Sequence, residues 1–543
     1  MTVDSSMADV VAAFKSRGFR YVSRTQFNSA KLTGILVTSH SNHECDVYIP
    51  ADFSSPPIIK LVTLPPELLP IAPHIGPDKS ICYLTNSTIT LDIFDPVGQM
   101  LACLDRAAFV LNQILTGEIE NDLAEEFFSY WGSEEFLCFY DVASENPSKV
   151  VCLADLEKTH KTQSLFLTDD AARTCYKAAG IGHQLTQMDV VVARISTSTY
   201  PRPSLLCWPI TRVDELLNWQ RALNKRTADE ITQKLASMRR KKTKVGLIIV
   251  DSPAYSYAFL VFFNVQNDHV SGLKVGECFN NEWVVPSSVY RIDERYIAER
   301  NVPGMQTLSG KKIAVVGCGT IGGYIVDLLV KAGAGTGSGE LTLVDKDKLH
   351  SQNLGRHLLG FSYLLDNKAR ALAHYFMANM PDAKIRPFLV DVRHTNLSGM
   401  DLIIDATAEG TVASFLSKEY GEKSALMTVW IEGAGVAVGA LLRPSQGYAC
   451  ATCLATHNAK GDYSTTMERI PPKFAGQGCE QAYVPFPASV SVKAACLASE
   501  MVLDWVAGKF EPTLRTMVID KTFTSATTMA NPEPIEGCPA CTT

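Results

Sequence analysis

Apolar and polar positions along this chain follow three patterns in succession. In residues 1–135, Met7 to Arg17 carries apolar residues at Val10, Val11, Ala13 and Phe14, the spacing of a helix with one buried face. The runs Leu32–Val37, Cys45–Ile49 and Pro57–Val62 predict strands, and a proline-rich stretch with the turn Gly76-Pro77-Asp78 follows them. Two helices, over Val97–Leu115 and Leu123–Tyr130, close an α+β block. Residues 136–305 mix short strands with one predicted helix over Val213–Met238 and buried strands at Val245–Val250 and Tyr257–Asn264. This second block reads as an α+β connector without chemistry-bearing spacing. From residue 306 to 543 strand and helix alternate: Lys312–Val316, then a helix over Ile321–Ala332, then strands at Leu341–Val344 and Leu402–Ile404. Such alternation is α/β, a doubly wound parallel sheet with crossover helices.

Composition narrows the function classes. A chain of 543 residues has room for two to four cores, and 46% apolar with 20% charged residues is ordinary for a globular protein. A formal charge of −7 gives no general attraction to nucleic acid. The basic run Arg239 to Lys242, with Lys244, has no interleaved aromatics and reads as a solvated face. No apolar run approaches the roughly 20 residues of a membrane span, and Met1-Thr2-Val3-Asp4 does not begin a signal peptide. Fifteen cysteines without an export signal are expected to be reduced thiols, metal ligands or nucleophiles, which places the chain in the cytoplasm. Neither nucleic acid nor membrane is an expected partner.

The strongest chemical signal follows the first strand of the third block. Gly317-Cys318-Gly319-Thr320-Ile321-Gly322 turns strand into helix, and its glycines let helix amides approach a phosphate. Asp345 ends the next strand, where an acid accepts a ribose hydroxyl. Both features also suit a dinucleotide-binding dehydrogenase. What separates the readings is Ser351-Gln352-Asn353-Leu354-Gly355-Arg356, followed by Asn367-Lys368-Ala369 at a helix start. A dehydrogenase has no use for these two cations, whereas an adenylating enzyme needs them against triphosphate charge. These residues resemble the ubiquitin-activating superfamily, which includes the ThiF/MoeB-type sulfur-carrier adenylases. The resemblance implies a Rossmann-like adenylation domain that binds ATP through Gly317, Gly319 and Gly322. It puts Asp345 on the ribose and Asn353, Arg356 and Lys368 at the phosphates. One departure concerns magnesium: the family's Mg²⁺-holding Asp is replaced by Ala408 in Asp405-Ala406-Thr407-Ala408-Glu409. Either Asp405 or Glu409 is then the oxygen ligand, or phosphates and water hold the ion.

Two cysteine pairs, Cys450-x-x-Cys453 and Cys538-x-x-Cys541, can close a four-thiolate structural zinc site, with redox pairs as the other reading. Cys479 stands apart, in the glycine-bearing segment Phe474-Ala475-Gly476-Gln477-Gly478-Cys479. Relatives that form thioesters carry their acceptor cysteine there.

In the first block, Ala72-Pro73-His74-Ile75-Gly76-Pro77-Asp78-Lys79-Ser80-Ile81-Cys82 resembles the active-site segment of ubiquitin-conjugating enzymes. In that family a His-Pro-Asn tripeptide precedes an Ile-Cys step. Here Ala72 replaces the histidine and His74 takes the asparagine position, where its N–H would steady an oxyanion. The resemblance implies Cys82 as a second thioester carrier, with His74 and Lys79 giving it an electropositive setting.

The order of the blocks resembles bacterial fused conjugating and activating enzymes of antiphage (CBASS) operons. That implies a relay in which a partner protein's flexible C-terminus is adenylated, passed to Cys479, then to Cys82, and joined to an amine. The expected client is a cGAS/DncV-like nucleotidyltransferase or a ubiquitin-like protein. The sequence ends Cys541-Thr542-Thr543 without Gly-Gly, so the chain is not expected to be its own modifier. Other readings are a sulfur-carrier or ubiquitin-like-protein adenylase with an appended non-catalytic binding module, and a pseudoenzyme scaffold. Relatives also imply a homodimer, in which a segment like Arg295-Tyr296 reaches the other subunit's nucleotide.

Overall fold

Alternation of buried and exposed positions makes the first sheet. A computed structural model describes residues 3–25, 29–39, 41–69, 71–84, 91–92, 94–119, 122–132, 136–144, 149–155, 163–203, 208–253, 255–263, 282–300, 302, 304–472 and 483–541. Strands Arg20–Arg24, Ala30–Val37, Asn42–Ile49 and Ile58–Leu61 form an antiparallel sheet in chain order. Ala30, Leu32 and Leu36 point inward, as do Cys45, Val47 and Ile49 from the next strand. Helix Val3–Ser16 packs Met7, Val10 and Phe14 into the same core, and it begins four residues before the predicted Met7. Helix Pro96–Leu115 adds Met100, Leu104, Ala107 and Leu111; Asp95 caps it by accepting from the Gly98 amide.

The second sheet has eight strands, in the order Leu185–Gln187, Val151–Asp155, Gln163–Thr168, Phe136–Asp141, Trp283–Arg291, Ser256–Phe262, Val245–Asp251 and Val190–Ser196. The single helix predicted over Val213–Met238 is two helices, Val213–Leu223 and Lys225–Arg240. Asn224 separates them with an extended backbone (φ −158°, ψ 109°), and its side chain accepts from the Thr227 amide at 3.1 Å. Apolar periodicity runs across this break unchanged, but asparagine competes with the helix for backbone hydrogen bonds and starts a new one. The basic run ends the second of these helices. Arg240, Lys241, Lys242 and Lys244 are exposed, while Arg239 lies 3.5 Å from the buried Glu282 carboxylate.

The third sheet also has eight strands. Ile385–Phe388, Glu340–Val344, Lys312–Val316, Leu402–Asp405 and Ala425–Glu432 are parallel in that order; Ala437–Arg443, Leu514–Val518 and Met529–Ala530 continue antiparallel. Along the chain the sheet therefore grows one way from Lys312–Val316 and then the other, reversing between that strand and Leu402–Asp405. A reversal opens a crevice at the carboxyl ends of the two strands, because their crossovers leave on opposite faces. By packing, the chain forms two compact units: residues 1–139, 150–167 and 186–290 in one, and residues 140–149, 168–185 and 291–543 in the other. Among the described residues no helix is long and apolar enough to cross a membrane.

Candidate active site

The crevice at the reversal is lined by the glycine turn and by acids. Gly317 ends its strand at φ +87°, and a Cβ there would lie 2.9 Å from the Ala406 carbonyl carbon. At Gly322 a Cβ would stand 1.9 Å from the Gly317 carbonyl oxygen, so this glycine lets helix Thr320–Lys331 close onto the turn. Gly319 caps that helix with open space before it. A cavity of about 150 Å³ is bounded by Gly317, Gly319, Asp345, Lys368, Thr407 and Glu409, among others. Asp345 accepts from the Cys318 amide (2.8 Å) and the Asp347 amide (2.7 Å). Burial pushes its carboxyl above the ordinary range; those amides and Lys368 oppose the shift. Lys368 begins helix Lys368–Asn379, with its ammonium 3.3 Å from Asp347.

Asp405 and Glu409, the acids left open for magnesium, differ in setting. Asp405 is buried; its Oδ1 accepts from the Thr407 amide (3.0 Å) and hydroxyl (2.7 Å), and its Oδ2 has no partner among the described residues. Burial raises this carboxyl to about 6. Glu409 is exposed on the cavity wall. Ala408 between them sits at φ +58°, a strained conformation for a residue with a Cβ. Glu409 lines the cavity and Asp405 does not, but a buried orphan oxygen and an exposed carboxylate four residues apart both have the oxygen chemistry that suits a hard cation.

Asn353 and Arg356 do not line the cavity. Asn353 Oδ1 accepts from the His350 amide (2.9 Å) and closes the short helix Ser351–Asn353. Arg356 donates from Nη1 to the Val484 carbonyl (2.8 Å), with its guanidinium 4.3 Å from the Phe486 ring centre. Its Nε is buried without a partner among the described residues. Cys479 lies outside the described residues.

Two neighbouring residues escaped the sequence reading as parts of the site. Asn367 caps helix Lys368–Asn379 and donates from Nδ2 to the carbonyls of Asp345 (2.9 Å) and Asp347 (3.1 Å), holding the acidic loop. His357 accepts the Leu359 amide at Nδ1 (3.0 Å), so its proton is on Nε2, which donates to the Cys318 carbonyl (2.9 Å). Burial lowers its pKa, in keeping with a neutral ring. Asn367 carried a helix-cap signal; nothing local marks His357.

Cys450, Cys453, Cys538 and Cys541 are all buried, with sulfurs within 4.8 Å of one another. A tetrahedral zinc with bonds of about 2.3 Å requires sulfur separations of about 3.8 Å. The pairs Cys450–Cys453 (3.7 Å) and Cys450–Cys538 (3.8 Å) match, and Cys453–Cys541 is shorter at 3.3 Å. The Ile535 amide lies 3.4 Å from the Cys453 sulfur, the kind of outer hydrogen bond that supports a thiolate ligand.

Cys82 is exposed, and its amide donates to the His74 carbonyl (2.7 Å) across the turn. His74 is left-handed (φ +58°). Its Nε2 lies 2.9 Å from Asp122 Oδ2 and its Nδ1 2.8 Å from Glu126 Oε1. Nε2 thus hydrogen-bonds a carboxylate and Nδ1 stands at ion-pair distance from another without hydrogen-bond alignment, an arrangement that differs from the free oxyanion donor expected above. Nothing local marks this, because the two acids lie 48 and 52 residues downstream. Lys79 donates to the Val62 carbonyl (2.9 Å). Arg295 pairs with Glu299 on its own helix (2.9 Å).

The ThiF family model matches residues 294–540, and that of Prokaryotic E2 family B matches residues 24–139. The chain is 44% identical over the full length of both chains to the ATP-dependent ubiquitin transferase-like protein Cap2 of Pseudomonas aeruginosa. It is 26% identical to the Vibrio cholerae protein of the same name, over 80% of each chain. The Escherichia coli MccB structure with ATP is also similar, at 16% identity and TM-score 0.33, over 43% of this chain and 67% of that one. That last likeness is too distant to add weight.

Proposed function

This chain belongs to the Cap2 family of ATP-dependent ubiquitin transferase-like enzymes, with a ThiF-type domain and an E2-type domain, and from that premise we propose that it runs a two-cysteine relay. A carboxylate oxygen at a client protein's C-terminus attacks the α-phosphorus of ATP, and pyrophosphate leaves. Asp345 holds the ribose, and the amides after Gly317 with Lys368 hold the phosphates, supported by their common cavity. Asn353 and Arg356 complete the phosphate site once Arg356 leaves Val484. Magnesium held by Asp405, Glu409 or both would neutralise phosphate charge. The Cys479 sulfur then attacks the acyl carbon, forming a thioester and releasing AMP. Exchange moves the acyl group to Cys82, from which an amine takes it as an amide. Zinc at Cys450, Cys453, Cys538 and Cys541 pins the C-terminal segment and has no open position for chemistry.

The client is a cGAS/DncV-like nucleotidyltransferase in antiphage defence, or else a ubiquitin-like protein; this rests on family resemblance alone. A homodimer through the adenylation half and a cytoplasmic location belong to the same reading. The observation that carries the relay is an exposed cysteine in an E2-type turn on one chain with an ATP-type crevice. Non-reducing gels with ATP and client test it. Cys479→Ala should remove every thioester, whereas Cys82→Ala should keep the Cys479 thioester and stop ligation. A Cys479→Ala enzyme that still loads Cys82 would reverse the order.

A further inference from the structure

Helix Asp122–Tyr130 carries two distinct faces. One is apolar: Leu123 and Phe127, with Trp131 just beyond the helix, are buried. The Phe127 ring stacks 5.2 Å from Trp131 and 5.9 Å from Trp219, and the Trp131 indole N–H donates to the Ala258 carbonyl (2.9 Å). The connector's aromatic core therefore fixes this helix in place. On the other face, Asp122, Glu126 and Tyr130 follow at successive turns and address the Cys82 turn. Glu126 grips His74 twice: its Oε2 accepts the His74 amide (2.9 Å), and its Oε1 stands 2.8 Å from Nδ1. Asp122 takes Nε2 at 2.9 Å. The Tyr130 hydroxyl reaches the carbonyls of Ala72 (3.2 Å) and Ile75 (3.3 Å) and Glu126 itself (3.1 Å).

An ionised carboxylate only accepts hydrogen bonds, so a nitrogen that faces one must carry a proton. Nε2 hydrogen-bonds Asp122 and therefore carries a proton, while Nδ1 lies 2.8 Å from Glu126 at ion-pair distance without hydrogen-bond alignment, and the two acids together favour the imidazolium. The Cys82 amide donates to the His74 carbonyl (2.7 Å), which ties the two residues together across the turn. Titratable groups around the ring are Asp122, Glu126 and Tyr130 from the helix and Cys82 from the turn. Nearby, Lys60 and Asp78 pair with each other at 2.5 Å, and Lys79 is held by the Val62 carbonyl.

We propose that Glu126 and Asp122 are positioning residues for transfer from Cys82, holding His74 as a cation in the cysteine turn, with the connector as their rigid base. This rests on Cys82 carrying the thioester. In the transfer, the amine nitrogen bonds to the acyl carbon and the carbon–sulfur bond breaks. Its electron pair stays on sulfur as thiolate, and the amine's proton goes to water. The imidazolium offsets the charge that develops on sulfur and gives up no proton, because the two acids beside it favour its charged form. In agreement, the Glu126 carboxylate first, and then Asp122, which accepts from Nε2, raise the His74 pKa to about 9 against the opposing cost of burial.

Two isosteric variants of the full chain, Glu126→Gln and Asp122→Asn, test this. Asp122 is 39% exposed, so its variant tolerates the change in the fold. Histidine carbon-bound protons followed by NMR should show His74 titrating near 9 in the wild type and roughly one unit or more lower in Glu126→Gln. Peptide-resolved alkylation of Cys82 by iodoacetamide at pH 8 should slow several-fold in both variants. Slower alkylation with an unmoved His74 titration would make the acids merely structural and overturn the proposal. Wild-type titration and alkylation in both variants, with Cys82 still essential for ligation, would overturn it too. Ligation by Cys82→Ala would instead remove the relay reading itself, whatever the clamp variants do.

Discussion

The nucleotide crevice and the Cys82 turn both place acids beside the reacting position, but they leave them in opposite states. Behind the crevice wall Asp405 keeps a buried oxygen without a partner among the described residues, and Glu409 is exposed on the wall itself. In the turn the polar atoms of His74 all face partners at close range: its carbonyl accepts from the Cys82 amide, its amide donates to Glu126, Nε2 bonds Asp122, and Nδ1 stands at ion-pair distance (2.8 Å) from Glu126 without the alignment of a hydrogen bond. A site that must capture a diffusing, multiply charged substrate holds partners in reserve. If Cys82 passes an acyl group already attached to it, as proposed, its site can be finished in advance, because the reacting atom is part of the chain. The cysteine quartet belongs with the finished kind.

The contrast breaks first at Lys368. If the crevice is completed by its substrate, Lys368→Ala should lower client-dependent ATP–pyrophosphate exchange by roughly 100-fold or more, with thermal unfolding unchanged. Exchange at the wild-type rate would mean the cavity holds something other than a triphosphate.

A subtler effect is expected at Asp405, whose carboxyl is raised to about 6 by burial. A raised carboxyl favours the protonated folded state, so the cost of ionising it appears as pH climbs from the ordinary carboxylate range and is complete above about 6. Asp405→Asn should therefore be more stable than wild type at pH 8 and equal to it at pH 3.5. If Asp405 binds the metal, exchange by the wild type should fall as pH drops through 6, while the Asn variant stays low and flat. Denaturant melts at the two pH values, with exchange rates across the range, check both signs. An Asn variant that is more stable and fully active would leave Glu409 or the phosphates as the metal's holders.

The smallest effect on chemistry is expected at the quartet. Elemental analysis should find one zinc per chain, and Cys538→Ser should lose it and melt several degrees lower. Exchange below the melting range should stay near wild type. Metal-free wild-type protein with an unchanged melting temperature would leave the four thiols without a structural purpose.

Much of the crevice was legible in the sequence, because its parts are local. Glycine at 317 and 322 answers a backbone turn and a close approach within six residues, and Asp345 and Lys368 are fixed by the ends of their own strand and helix. Helix periods, strand alternation and the two CxxC spacings are local in the same way. Asn224 shows the limit of periodicity: the apolar repeat continued through a break that one side-chain hydrogen bond decided.

Sequence alone therefore determined the element types and the order of the blocks, and it named candidate residues for nucleotide, metal and acyl group, since these follow from dihedral preference, repeat and side-chain chemistry within a few turns. Only the tertiary structure decided which charges meet. It gathered two cysteine pairs 88 residues apart, left Asp405 an empty oxygen, turned Arg356 onto Val484 and brought Glu126 back to His74. Burial and ion pairing are sums over everything that packs around a group, and no stretch of chain carries that sum by itself.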